Sequence, residues 1–193
     1  MKKILFIIMI VIATFIIYMK YNHQQSLYLV LGDNTYIENE SLINLSDNNN
    51  RLMDITNSIR YNNKYTYNNS TYNIQNLLVK SNKIIISIGM NDISSFSNNS
   101  IDNIYNLIED YNNLLKIIKK ITKEDIYVLS FYNDINNKQL IEYANKELKR
   151  ICKENKVKYI DISYLNLYID NNKLSNEGIE YLNKKLNFTK KVK

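Results

Sequence analysis

The stretch from Lys83 to Asp92, KIIISIGMND, constrains the fold of this chain more than any other. Four isoleucines within five residues form a short β-branched run, which is typical of a strand buried on both faces of a sheet. The run ends at Gly89, and the polar pair Asn91 and Asp92 follows where such a strand would emerge. In open α/β sheets, ligands and catalytic groups collect at the carboxyl ends of the strands. We therefore expect a functional site at this turn.

Other apolar runs of this kind alternate along the chain with amphipathic segments of helical spacing. The predicted strands are 27–31, 64–67, 83–88, 125–132 and 157–163, and the predicted helices are 51–60, 73–80, 100–121, 138–154 and a last helix capped by Ser175. The rest of residues 35–63 is predicted as loop. This βαβ spacing indicates a parallel sheet covered on both faces. We therefore predict an α/β fold with three layers, α/β/α, around a five-stranded parallel sheet.

The composition excludes several kinds of site and partner. The single cysteine, Cys152, cannot form an internal disulfide, and its place on the apolar face of a predicted helix favours a buried thiol. No zinc-ligand spacing and no phosphate loop occur, so we expect neither a metal nor a cofactor. The net charge is +6, but no basic stripe accompanies a nucleic-acid-reading motif, so nucleic acid is not an expected partner.

Residues 4–19 are uniformly apolar and are flanked by lysines on both sides. A helix of this length spans about 24 Å, and snorkelling lysines with local thinning can bridge the remainder of a hydrocarbon core of about 30 Å. We predict an uncleaved single-pass membrane anchor. Its N-terminus is expected in the cytoplasm, because the positive charge is denser on that side. A cleaved signal peptide is the alternative, although no small-x-small cleavage site follows the apolar run.

The anchor sets the predicted domain organisation. Residues 1–22 form the anchor and residues 23–26 a linker. One globular domain follows over residues 27–188, outside the cytoplasm, and residues 189–193 form a basic tail. His23, the only histidine, falls beside the membrane and is read as a linker residue.

Three polar turns carry a resemblance to a known family. LVLGDNTY (29–36), ISIGMND (86–92) and DNNKLSNEGIEYL (170–182) resemble three sequence blocks of the SGNH (GDSL-type) hydrolases: Gly-Asp-Ser, Gly-x-Asn-Asp and Asp-x-x-His. The match runs from residue 27 to about residue 186 in the order and spacing of that family. The resemblance implies a flavodoxin-like α/β fold and a site of the kind used by esterases and lipases.

What the resemblance implies for single residues is carried over position by position. The nucleophilic serine of the family falls on Asn34, and its oxyanion asparagine falls on Asn91. The family's aspartate falls on Asp170 and its histidine on Lys173. Its second-block glycine, whose backbone N–H donates to the oxyanion, falls on Thr71 in NNSTYN.

The two substitutions predict a catalytically inactive domain. The lone pair of the Asn34 carboxamide is delocalised, so this side chain cannot attack an ester. Lys173 has a reference pKa of about 10.4 and stays protonated near neutral pH unless it is strongly desolvated. Loss of the nucleophile or the base alone costs a serine hydrolase on the order of 10⁶ in turnover. We expect binding of an acylated glycan, lipid or protein in the remnant cleft.

Two other hypotheses remain open. The chain is an active ester hydrolase if an unconventional nucleophile such as Thr35 works with Lys173. It is a structural or interaction protein if the cleft is vestigial.

Structural roles also exist for individual residues: Asn91 can bridge loops, Asp33 and Asp92 can hold turn backbone, and Asn34 can cap a turn. Asp170 and Lys173 can form a surface ion pair worth under about 1 kcal/mol.

Overall fold

The computed structural model describes residues 12, 14, 27–33, 42–67, 69–96, 100–132, 138–164, 169–170 and 173–186, the backbone alone at 169–170 and 173–174. Most of the predicted anchor at residues 4–19 lies outside these residues, as do the linker 23–26 and the basic tail 189–193. Within the described part of the chain, no helix is both long and apolar enough to cross a bilayer.

Nine strands and six helices make up the described part of the fold. The strands are β1 (Tyr28–Gly32), β2 (Leu42–Asn44), β3 (Lys64–Tyr67), β4 (Ser70–Asn73), β5 (Lys83–Ser87), β6 (Asp125–Leu129), β7 (Lys158–Ile160), β8 (Ile169–Asp170) and β9 (Lys173–Leu174). The helices are α1 (Leu52–Arg60), α2 (Ile74–Lys80), α3 (Met90–Ser94), α4 (Ile101–Ile121), α5 (Lys138–Glu154) and α6 (Asn176–Lys185).

The predicted five-stranded parallel sheet is confirmed, with the strand order β2–β1–β5–β6–β7. The isoleucine run lies at its centre, where β5 pairs with both β1 and β6. Ile84, Ile85 and Ile86 are completely buried, as expected for a strand covered on both faces. β1 and β5 end side by side, because Gly32 is the register partner of Ser87.

One predicted strand of this sheet was wrong. Residues 64–67 do form a strand, but it pairs antiparallel with β4 in a separate two-stranded hairpin. Exposed and half-buried residues alternate along it, which is typical of a strand packed on one face only. The fifth strand of the central sheet is β2, within the region predicted as loop.

Helices cover the two faces of the sheet unequally. From β2 onward the strands advance across the sheet in one direction, and right-handed crossovers then place their connecting helices on the same face. The larger core accordingly contains apolar side chains of α1, α2, α4 and α5. The smaller core contains Leu182 and Leu186 from the α6 region, against the opposite face of β1, β5 and β6. The three-layer arrangement is therefore confirmed.

Two further sequence predictions are confirmed at the helices. The Ser100 hydroxyl accepts a hydrogen bond from the Asp102 N–H at the start of α4, and Ser175 accepts one from the Gly178 N–H at the start of α6. Cys152 is fully buried on α5. Burial raises the pKa of its thiol to about 12, so the reactive thiolate is scarce near neutral pH.

Candidate functional site

The strand order places a switch point between β1 and β5. From β1 the chain first goes to β2 on one side, and then crosses back to β5 on the other side. At such a point the loops beyond the carboxyl ends of the two strands diverge and leave a crevice. Asp33 follows β1 at this position, and residues 89–92 follow β5. The site predicted at this turn thus lies where the topology favours one.

Asp33 joins the two strand ends. One oxygen of its buried carboxylate, Oδ2, accepts hydrogen bonds from the backbone N–H groups of Gly89, Met90 and Asn91, at 2.9, 2.7 and 3.2 Å. Burial raises the pKa of Asp33 to about 6, although these three hydrogen bonds favour the charged form and oppose the shift. The interpretation of Asp33 as a residue that holds turn backbone is confirmed.

Asn91 binds a second turn with its side chain. Its Nδ2 donates to the carbonyl oxygens of Asn48 and Asn50, at 2.8 and 2.9 Å. A carboxamide nitrogen carries two hydrogens, so both are committed to backbone carbonyls. Asn91 therefore bridges loops, which was one of its two predicted roles. An oxyanion donor would need one of the same hydrogens.

The bridged segment is the turn between β2 and α1, residues 45–51. The Asn50 side chain donates to the carbonyls of Gly32 and Leu45, at 3.0 and 3.2 Å, which ties the turn to the end of β1. Within the turn, Asp47 Oδ1 accepts from the Asn49 N–H at 2.8 Å. The sequence pattern predicts loop here, although a run of four Asx residues before a helix is a turn signal.

Asp92 also holds backbone, as predicted. Its Oδ2 accepts from the Leu52 N–H at 3.0 Å, which satisfies an unpaired donor at the start of α1. Burial is the largest influence on this carboxyl and raises its pKa. The ends of β1 and β5 and the turn before α1 are therefore connected by side-chain hydrogen bonds.

Thr71 lies apart from this network. It is exposed on β4, where its hydroxyl forms a 3.4 Å hydrogen bond with the hydroxyl of Thr66. The hairpin contacts the central sheet at the amino end of β2, and the candidate site lies at the carboxyl ends of the strands. The contact is made by the Tyr67 hydroxyl, which donates to the carbonyl of Leu42, the first residue of β2. The structure thus does not bring Thr71 together with Asn91. The turn that reaches Asn91 is 45–51.

Asp170 and Lys173 are register partners in the two-residue strands β8 and β9. The backbone brings these two residues together at the start of the segment that leads to Ser175 and α6. Their side chains lie outside the described part of the structure. Asn34 and Thr35 also lie outside the described residues.

Phe131 and Asn145 support the β5 turn and were not anticipated. Asn145 Oδ1 accepts from the Phe131 N–H and Asn145 Nδ2 donates to the Phe131 carbonyl, both at 2.8 Å. This pair fixes the backbone just beyond β6 and holds the Phe131 ring against Gly89. No motif in the sequence signals the contact.

The described side chains include no group of three or more His, Cys, Asp or Glu residues placed to hold a metal ion. The polar groups at this edge are amides, carboxylates and backbone carbonyls. Most of those described are paired with one another, so the site as it stands is a hydrogen-bonded junction of three chain segments.

No protein-family profile and no curated protein sequence matches the chain. Solved structures do. An acetyl xylan esterase is 12% identical, with 82% of this chain and 96% of that chain covered and a TM-score of 0.62. A lipase from a goat rumen metagenome is 17% identical, with 83% and 95% covered and a TM-score of 0.60. An esterase from a Pseudoalteromonas species is 11% identical, with 84% and 95% covered and a TM-score of 0.57.

At identities this low, the structural similarity shows a shared fold. The agreement extends over nearly the whole length of each neighbour. The fold of this chain is that of the SGNH (GDSL-type) esterases and lipases.

Proposed function

We propose that this chain is a membrane-anchored, extracytoplasmic hydrolase-like domain that binds an acylated glycan, lipid or protein without cleaving it. The shared fold supports the comparison with esterases and lipases. The resemblance of the three sequence blocks then assigns Asn34 to the nucleophile position and Lys173 to the position of the general base. The Asn34 carboxamide cannot attack an ester, and Lys173 stays protonated near neutral pH unless it is strongly desolvated.

The observation that carries the proposal is the double commitment of the Asn91 amide to Asn48 and Asn50. Donors aimed at the oxyanion are usually a large part of acyl-transfer catalysis, and each one contributes on the order of 10² to 10³ in turnover. Here the amide at the oxyanion position holds a turn instead. The substituted nucleophile, the substituted base and the committed amide all support loss of ester hydrolysis.

The ligand class is proposed from the neighbours of the fold. Two of them are described as an acetyl xylan esterase and a lipase, which name an acylated sugar and a lipid as substrates on this fold. A domain that keeps the crevice of this fold and loses the reactive groups is suited to hold such a ligand.

The test combines turnover with binding. Full-length chain in nanodiscs is assayed with p-nitrophenyl acetate and butyrate, and we expect no hydrolysis above that of an Asn34→Ala control. Acetylated and deacetylated xylo-oligosaccharides are then titrated while the side-chain amide resonance of Asn91 is followed by NMR. A shift with the acetylated form only supports the proposal. Turnover that Thr35→Ala abolishes would instead establish the active-hydrolase hypothesis.

A structural or interaction protein is the second candidate. It is favoured by the same hydrogen bonds, because a junction in which Asn91, Asp33 and Asp92 all hold backbone needs no ligand to be stable. The absence of any Asn91 shift with acylated sugars, acylated peptides and short-chain phospholipids would favour this candidate over the binding domain.

A further inference from the structure

The fold concentrates positive charge at one edge of the sheet. Each long helix runs antiparallel to the strands, so the helices end where the strands begin. The Lys83 amine, at the start of β5, donates to the carbonyl of Leu186 just beyond α6, at 3.2 Å. The Lys119 amine near the end of α4 donates to the carbonyl of Asn155 just beyond α5. Six exposed lysines lie in the last turns of these helices: Lys80, Lys119, Lys120, Lys153, Lys184 and Lys185.

The helix dipole favours cations at helix ends, but it does not account for all of this charge. Lys123, Lys156 and Lys158 are exposed at or just before the starts of β6 and β7, and Lys83 is half-buried at the start of β5. We name these four and the six at the helix ends the basic edge. Two of the carboxylates there are paired, Asp125 with Lys158 at 2.6 Å and Glu154 with Arg150 at 2.6 Å. Glu124 is a third carboxylate at this edge, and the ten lysines outnumber these three carboxylates, so the edge carries a net positive charge.

The carboxyl edge, where the candidate site lies, has the opposite character. Carboxylates occupy the strand ends, the turn before α1 and the first turns of the helices there: Asp33, Asp47, Asp54, Asp92, Asp102 and Glu177. The described basic residues at this edge whose side chains are placed are Arg51 and Lys138. The charge of the domain is thus polarised along the direction of the strands.

The chain enters the domain in the middle of the basic edge. The Leu27 N–H donates to Asn82 Oδ1 at 3.0 Å, and the Leu27 carbonyl accepts from the Asn82 N–H at 2.8 Å, directly beside Lys83. Residues 20–26 separate this point from the apolar segment 4–19. Seven residues reach at most about 25 Å. A membrane anchor would therefore hold the basic edge close to the lipid headgroups.

We infer that the basic edge docks on an anionic lipid surface and that the candidate site faces away from that surface. The inference rests on the membrane anchoring in the proposed function. The two edges are about 17 Å apart along a five-residue strand, which exceeds the screening length of about 8 Å at physiological salt. A ligand would reach the site from the side away from the bilayer, so an acylated glycan fits this orientation better than a lipid of the same membrane.

The test measures which edge approaches the lipid. Cysteine is introduced at Glu124 on the basic edge or at Asp102 on the carboxyl edge, and each is labelled with a fluorophore, since buried Cys152 resists labelling. Full-length chain is placed in nanodiscs that contain nitroxide-headgroup lipid, either neutral phosphatidylcholine or with 30% phosphatidylglycerol. We expect quenching of the Glu124→Cys label in the anionic discs and its relief by 0.5 M salt. The Asp102→Cys label stays bright.

Charge reversal provides the matched comparison. Each lysine near an anionic surface contributes about fivefold to association, so Lys120→Glu, Lys123→Glu and Lys156→Glu together lower the docking equilibrium by at least about a hundredfold. The control triple Lys116→Glu, Lys138→Glu and Lys146→Glu changes the net charge equally, away from the basic edge, and leaves the quenching in place. Loss of quenching in both triple variants would mean that docking depends only on the net charge of the chain, and it would overturn the inference.

Three other outcomes would also overturn the inference. The first is equal quenching in neutral and anionic discs, and the second is quenching of the Asp102→Cys label. The third is binding of the basic edge to duplex DNA but not to anionic discs. Failure of the full chain to remain on neutral discs would instead refute the anchoring. The quenching pattern on anionic discs still tests the edge in that case.

Discussion

The Phe131 ring fills the space that a side chain on Gly89 would need. A Cβ atom built on Gly89 would lie 2.8 Å from Cε1 of Phe131, and Gly89 has φ +112°, which residues with a side chain rarely adopt. The three N–H groups that reach Asp33 start at this residue. The turn beside the site therefore depends on glycine both for its conformation and for its packing.

Gly89→Ala is expected to lower the free energy of unfolding by about 2–4 kcal/mol, from backbone strain of about 1–2 kcal/mol and overpacking against Phe131. Urea denaturation of both proteins measures the loss. In a Phe131→Leu background the packing part should disappear and the backbone part remain. An equal penalty in the two backgrounds would contradict the contact.

Asp33 should make stability fall as pH rises from 4 to 7. Its pKa is raised from 3.8 to about 6 in the folded state, so the folded chain holds this proton more tightly than the unfolded chain. The stabilisation is complete below the unfolded pKa and is lost as pH rises through the folded pKa. At about 1.4 kcal/mol per unit, the loss is about 3 kcal/mol.

Denaturation midpoints at pH 4.5, 5.5, 6.5 and 7.5 compare the parent with Asp33→Asn, which cannot ionise. We expect the difference in stability between the two to change by about 2 kcal/mol across this range, since the rest of the total is lost below pH 4.5, and the direction favours the variant at high pH. A parallel pH dependence in both proteins would show that Asp33 is not the group responsible.

Asn145→Ala should destabilise the chain by about 2–4 kcal/mol, because it leaves the N–H and the carbonyl of buried Phe131 without their partner. Asn113→Ala, at an exposed position of α4, is the matched control and should change stability by less than about 0.5 kcal/mol. The Gly89 amide resonance reports the site directly. It should shift in Asn145→Ala and stay in place in the control.

Restoring the nucleophile and the base should give weak activity. We expect Asn34→Ser with Lys173→His to hydrolyse p-nitrophenyl acetate slowly and to react with a fluorophosphonate probe, neither of which the parent does. Adding Asn91→Ala should change this rate by less than about tenfold, because its amide is committed to the 45–51 turn. A loss of 10² to 10³ would mean that Asn91 donates to the oxyanion after all.

Sequence patterns predicted the elements that carry their own signal. The isoleucine run identified β5, and the apolar stripe from Ile104 to Ile118 with the Ser100 cap identified α4. β2 could not be recognised, because only Leu42 and Ile43 are apolar and its strand conformation comes from pairing with β1. For residues 64–67 the sequence did predict a strand. It did not predict that this strand pairs with β4 outside the central sheet.

The site could also be predicted only where the residues carry a local sequence signal. Asp33 and Asn91 were expected at one edge, and the Asn91 N–H does lie 3.2 Å from the Asp33 carboxylate. The part that the 45–51 turn plays in the site was not predicted, because asparagine is abundant throughout the chain and the turn contains no glycine. The carry-over to Thr71 rested on the resemblance alone, and the structure does not bring Thr71 to Asn91. Nothing local links Phe131 to Asn145, since that contact is made only once β6 and α5 have packed.

The Tyr67 hydroxyl on the hairpin has a consequence for self-association. β2 is the outermost strand on its side of the sheet, and the unpaired backbone groups of an edge strand can recruit a strand from another molecule. The Tyr67 hydroxyl donates to the Leu42 carbonyl at 2.9 Å, which places a bulky ring beside a strand of only three residues. The hairpin thus leaves less of β2 open to pairing with a strand from another molecule.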